Sequence, residues 1–152
     1  MKTFVIAEVG SSHDGDLGKA LRCIAVAKAE GADAVKFQTF KAETLAARRR
    51  APEALLMYQR YEMPLGWLPI LRAACDEHGI EFMTTVYHAD YLPLVASYVR
   101  RWKIASFEAL DREFLAAHFE YKKPMLISTG MMTLRDIEAM IERGGGSQEI
   151  GE

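Results

Sequence analysis

Lysines, an amide and hydroxyls recur in this chain where they could hold an anion. In ADAVKFQTF, Ala32 to Phe40, strict alternation sets Lys36 and Gln38 on one side of a strand and Val35 and Phe37 on the other. WKIASFE repeats the pattern with Lys103 between Trp102 and Ile104, and MLISTG ends a third strand in Ser128 and Thr129. Ammonium groups joined by neutral hydroxyl donors make a pocket that attracts carboxylate or phosphate without adding a repelling charge. The expectation is an anion pocket at the ends of neighbouring strands.

Each candidate also has a purely structural reading. A lysine buried on a central strand must be paired or ligand-bound, so Lys36 either meets a ligand or pairs with Glu8 across adjacent strands, and both can hold together. The same parity argument applies to Lys103. Glu8, at the end of the first strand beside Gly10, is a candidate for substrate contact or for biasing a lysine. Glu108, two residues past Ser106 at the top of the fourth strand, is a candidate for catalysis, or else a charge at a helix entry. Gln38 suits a sugar hydroxyl or a satisfied buried amide. His13 lies in a turn-rich loop as a substrate contact or a loop-stabilising hydrogen bonder. His78 and His118 fall near helix C-termini, where the dipole accounts for them. Arg48, Arg49 and Arg50 suggest a phosphate or nucleic-acid contact, but in a chain of this charge balance they read rather as a solvated loop face. Tyr58, Tyr61 and Trp67 either close a lid over the pocket or pack the segment that carries them.

The elements that must position these groups follow from periodicity. Strands are expected at Phe4 to Glu8, Ala34 to Gln38, Ile80 to Thr85, Trp102 to Ser106 and Met125 to Thr129. A helical stripe through Leu17, Ala20, Leu21, Ile24 and Ala27 starts behind an Asp16 cap and stops at Gly31. A second runs through Trp67, Ile70, Leu71, Ala74 and Cys75 to Gly79, after a long insertion from Lys41 to Leu65 of the length usually reserved for function. Further helices fit Ala89 to Ser97, Asp111 to His118, and Thr133 to Arg143 with Thr133 and Asp136 as a capping pair. Alternating β and α elements predict an α/β fold with a parallel sheet, either doubly wound or a (β/α)8 barrel. No GxGxxG follows the first strand, and barrels commonly need about 250 residues and eight units. Five units over residues 1–143 therefore predict a partial TIM barrel, with residues 144–152, GGGSQEIGE, as a flexible tail.

Composition narrows the partners. The 152 residues are 50% hydrophobic and 26% charged, ordinary for one soluble domain, and 19 basic against 21 acidic residues leave a charge of -2. Such a balance offers no global field for nucleic acid or an anionic membrane. Cys23 and Cys75 lack metal-ligand spacing and read as reduced thiols, giving a cytoplasmic location as the default. The N-terminal apolar run is broken by Glu8, too soon for a signal peptide or a membrane span.

Taken in order, AEVGSSHDGD, GADAVKFQTF, WKIASFE and LISTGM resemble the sialic acid synthase family, over most of the chain from Phe4 to about Ile141. Ser106, Phe107 and Glu108 look like the SFE of pseudaminic and legionaminic acid synthases. Two departures stand out: Ser12, His13, Asp14 and Gly15 replace the family's Asn-His-Asn-Gly, and Thr84, Thr85, Val86 and Tyr87 replace its Ser-Thr-Pro-Phe.

The resemblance implies a transferase of carbohydrate biosynthesis that condenses phosphoenolpyruvate with an N-acetylated hexose, such as N-acetylmannosamine, into a nine-carbon 2-keto acid with release of phosphate. It implies that Lys36 and Lys103, with hydroxyls of Thr84, Thr85, Ser106, Ser128 and Thr129, hold phosphoenolpyruvate, and that Ser128 contacts it. It also implies a divalent metal, Mn or Mg, whose histidine ligands lie in strands beyond this chain, so that the chain alone is expected to be inactive. Two alternatives stay open: a barrel aldolase forming a Schiff base on Lys36 or Lys103, and a non-catalytic half-barrel that assembles with another chain. Unpaired outer strands would favour self-association or pairing with a missing barrel half.

Overall fold

The computed structural model describes residues 3–144. The glycine-rich tail lies outside these apart from Gly144, which ends the last helix. The strands are β1 (Ile6–Gly10), β2 (Ala34–Thr39), β3 (Glu81–Val86), β4 (Trp102–Ile104) and β5 (Met125–Ile127). The principal helices are α1 (Leu17–Ala29), α2 (Ala42–Arg49), α3 (Leu55–Tyr61), α4 (Leu68–His78), α5 (Leu92–Val95), α6 (Arg112–Phe119) and α7 (Leu134–Gly144).

All strands are parallel and pair in the order β1-β2-β3-β4-β5. A doubly wound sheet reverses strand order at a switch point and carries helices on both faces. Here order follows sequence without reversal, and the apolar core gathers on one side. Val35, Phe37, Phe82, Val86, Trp102, Ile104, Met125 and Ile127 join Ala20, Ile24, Leu71, Cys75, Phe114 and Met140 of the helices in one cluster. The structure is an arc of five units of the (β/α)8 barrel type.

Local chemistry fixes the element ends. The Asp16 side chain accepts from the Lys19 N–H at 2.8 Å and starts α1, and Asp111 does the same for α6 through Phe114 at 3.0 Å. Thr133 and Asp136 bond reciprocally, side chain to backbone N–H, ahead of α7. Gly79 ends α4 at φ 64°, where a side chain would be strained.

The strand boundaries move from the sequence expectation at both ends of the sheet. β1 begins two residues later than Phe4, because the Val5 carbonyl is taken by the Asp33 and Ala34 N–H groups and its own N–H donates to the Asp33 carboxylate. β4 and β5 stop earlier, so Ser106, Ser128 and Thr129 stand in the loops just beyond their strands. The insertion holds two helices, α2 and α3, tied at its base by Glu62, which accepts from the Ala42 N–H at 2.7 Å and pairs with Lys41 at 3.3 Å.

Candidate active site

Register decides which side chains share the face opposite the helices. Glu8 pairs with Lys36, Lys36 with Met83, Gln38 with Thr85, Thr85 with Lys103, and Lys103 with Leu126. Opposed residues of a pleated sheet point to the same side, so Glu8, Lys36, Gln38, Thr85 and Lys103 project together, away from the apolar cluster. Lys36 and Lys103 are one strand apart, with Thr85 of β3 between them.

Contacts on this face are dense. Lys36 Nζ lies 2.5 Å from a Glu8 oxygen and donates to Thr85 Oγ1 at 3.4 Å. Its side chain is 11% exposed whereas that of Glu8 is 53% exposed, so the pair has a buried cationic end and an open anionic end. Lys103 Nζ donates to Ser128 Oγ and to the Ile104 carbonyl, both at 2.7 Å. Burial, and next the charge of Lys36, lower the Lys103 pKa from 10.5 to about 8, with Glu8 and Glu108 pulling the other way. Two cations thus press on one another where water is scarce, an arrangement that an incoming anion relieves.

Gln38 Oε1 accepts from Ser11 at 3.2 Å, which ties the end of β2 to the loop after β1. Gly10 at φ 54° creates the room: a Cβ there would lie 3.1 Å from Glu8 Oε1 and 3.5 Å from Gln38 Nε2.

Glu108 sits in a short turn after β4 and is fully buried. Its Oε1 accepts from Arg49 Nη2 at 2.7 Å, and its Oε2 has no hydrogen-bond partner among the described residues. Arg49 is the last residue of α2 and lies 4.1 Å over the Phe107 ring. The expected solvated arginine face is therefore corrected at Arg49: its guanidinium bridges the insertion to the β4–α6 loop. Tyr87, just past β3, belongs to the same neighbourhood; burial first and Glu108 second push its hydroxyl up to about 12. Nothing in the sequence but the length of the insertion pointed to Arg49, and nothing pointed to Tyr87 beyond the motif position it shares.

Other candidates lie elsewhere. Thr84 projects to the helix side, where its hydroxyl bonds Thr39 Oγ1 at 2.9 Å, and both residues are buried. His13 is fully buried, edge-on to Trp67 with ring centroids 5.4 Å apart and 6.5 Å from Phe37. Its Nδ1 accepts from the Gly15 N–H at 3.1 Å, and burial lowers its pKa. Trp67 and Tyr58 pack against His13 and Phe40. Ser106 is half-buried in the β4–α6 loop, and the Thr129 carbonyl accepts from Met132 at 2.8 Å in the turn before α7.

Among the described residues no group of three or more His, Cys, Asp or Glu side chains could hold a metal ion. The donors among the described residues do not fit a metal. No helix of the described residues is long and apolar enough to cross a membrane.

Residues 23–150 match the model of the NeuB family. The chain is 36% identical to the N,N'-diacetyllegionaminic acid synthase of Legionella pneumophila, over 93% of this chain and 44% of that protein. It is 29% identical to a pseudaminic acid synthase of Campylobacter jejuni, over 93% of this chain and 45% of that one. Its fold superposes on the N-acetylneuraminic acid synthetase of Leptospira borgpetersenii, crystallised with citrate, with a TM-score of 0.90 and 26% identity, covering 99% of this chain and 53% of that chain. The chain spans under half the length of these curated relatives. A match over most of its length, on a barrel arc of the same shape, makes this chain a member of the NeuB family.

Proposed function

We propose that this chain is the first half of the barrel of a nonulosonic acid synthase and carries the phosphoenolpyruvate subsite. The observation behind this reading is the shared face on which Lys36, Thr85, Lys103 and Ser128 meet. Lys36 and Lys103 neutralise the carboxylate and phosphate, while the Thr85 and Ser128 hydroxyls orient them. C3 of the enol phosphate then forms a bond to the aldehyde carbon of the open-chain N-acetylated hexose, whose oxygen takes a proton. Water adds at C2, and phosphate leaves from the tetrahedral carbon to give the 2-keto acid. Glu8, Gln38 and Glu108 line the sugar side in this reading. The remaining strands of the barrel pair with the open edges of β1 and β5 and complete the site.

Titrating phosphoenolpyruvate into the chain in a calorimeter tests the subsite. Saturable binding lost in Lys36→Met and Lys103→Met is expected, and no binding to the unsubstituted chain overturns the reading. A second reading is favoured by the lowered pKa of Lys103, about 8, which makes an amine more nucleophilic near neutrality. Borohydride trapping of pyruvate on Lys103, seen as a mass increase on that residue, would place the chain among Schiff-base aldolases instead.

A further inference from the structure

We infer that Arg49 is a positioning residue for the acceptor sugar: it holds Glu108 through one carboxylate oxygen and leaves the other to receive a sugar hydroxyl. The inference deepens the reading above and rests on Glu108 facing the sugar.

A fully buried carboxylate must have its oxygens matched by donors, because an unmatched one keeps the whole cost of leaving water. Glu108 meets this condition on one side only. Oε1 accepts from the Arg49 guanidinium at 2.7 Å, while Oε2 is without a hydrogen-bond partner among the described residues. Arg49 is itself held from a second direction by Phe107, whose ring lies 4.1 Å below its guanidinium carbon. The side chain of Arg49 is 31% exposed and that of Glu108 is 0% exposed, so the cation forms the outer wall and the carboxylate the inner one. A half-satisfied buried acid of this kind is set up for a neutral donor, and a sugar hydroxyl supplies one.

The surroundings favour a neutral hydroxyl over an anion. Glu108 opens the turn just past the end of β4, the strand that carries Lys103. Lys36 and Lys103 already serve the anion, and a negative ligand group against Oε2 would be repelled. The role also accounts for the insertion between β2 and α4. Its first helix, α2, buries Ala42, Leu45 and Ala46, and that packing fixes where its C-terminal Arg49 reaches.

The test uses the chain itself with two probes, phosphoenolpyruvate by calorimetry and a panel of 2-acetamido and diacetamido hexoses by saturation-transfer NMR. In Arg49→Met, sugar affinity is expected to fall about tenfold or more, the worth of a hydrogen bond to a charged group, with phosphoenolpyruvate affinity within about twofold. Arg49→Lys, which restores a donor and a charge, is expected to recover most of the sugar affinity. If Arg49→Met does not melt cooperatively, Arg49→Gln replaces it, with about a fivefold loss expected. Unchanged sugar affinity in the variant that folds, or no sugar binding by the unsubstituted chain, overturns the role of Arg49. Failure of phosphoenolpyruvate alone to bind overturns the subsite reading and leaves the sugar measurement to decide this one.

Discussion

The two faces of the sheet are built from overlapping residue types and use them to opposite ends. Thr84 and Thr85 are adjacent, both buried, and chemically identical. Thr84 turns to the helices and closes its hydroxyl on Thr39 at 2.9 Å, whereas Thr85 stands between two lysines and receives Lys36 at 3.4 Å. Polar groups on the helix side are set among apolar and aromatic neighbours: His118 Nδ1 sits 2.8 Å from the Phe114 carbonyl and His13 lies between aromatic rings, while the other ring nitrogen of each has no hydrogen-bond partner among the described residues. On the opposite face burial first, and the charge of Lys36 next, lower the Lys103 pKa. Apolar packing lies on one side of each strand and the charged side chains on the other, with a parity change of one residue between them.

That division can be broken from either side. The largest effect is expected from Phe37→Ala, which removes a fully buried ring from the helix face and should cost about 3–5 kcal/mol in urea unfolding, an appreciable share of a domain's stability. A cost below about 1 kcal/mol would mean that the helix face is not where folding energy resides. Lys103→Met should do the reverse: about ten- to hundredfold weaker phosphoenolpyruvate binding, with an unfolding midpoint unchanged or raised because a confined cation has gone.

The pH dependence sharpens the same contrast. Lys103 falls from 10.5 to about 8 in the fold, so the unfolded chain holds more protons than the folded one between those values. The cost of keeping this amine charged is therefore fully present below about pH 8 and is relieved as pH rises through that window. Anion binding has the opposite sign, since only the ammonium form attracts it. Affinity for phosphoenolpyruvate should fall by up to about tenfold per pH unit above pH 8, and calorimetry in buffers of different ionisation heat should register proton uptake. An affinity flat from pH 7 to pH 10 would separate Lys103 from the anion. The smallest effect distinguishes the threonines: Thr84→Val should shift stability by about 1 kcal/mol and leave binding alone, while Thr85→Val should weaken binding severalfold. Equal effects on both measurements in both variants would dissolve the distinction.

Much of the framework is legible in the residues. The alternation of Lys36 with Phe37, the Asp16 and Thr133 caps and the Gly79 stop each act within a few residues, and the structure carries them as read. Lys36 and Lys103 fall on one face because strand parity is a local property. What escapes the sequence depends on partners distant in the chain. Phe4 and Val5 look like strand residues, but Asp33 captures the backbone there and Arg101 stacks on Phe4. Sequence alone assigns both Thr84 and Thr85 to the site, since the parity that separates them is fixed by pairing with β2. The two helices of the insertion escape the sequence because α3 buries none of its residues and α2 is only eight residues long, with a short buried stripe of Ala42, Leu45 and Ala46. Arg49 reads as surface until Glu108, 59 positions later, is brought beneath it.

Strand order that copies sequence order also governs how such a protein is made. Each strand after β1 pairs with the strand before it in the chain, and α1 packs beside α4. Pairing with the preceding strand keeps each closure shorter than a reversed strand order would, although Ala34 still meets Glu81 only across the insertion. At every stage the newest strand is an edge, as β1 is throughout, and its free backbone groups are a template for pairing.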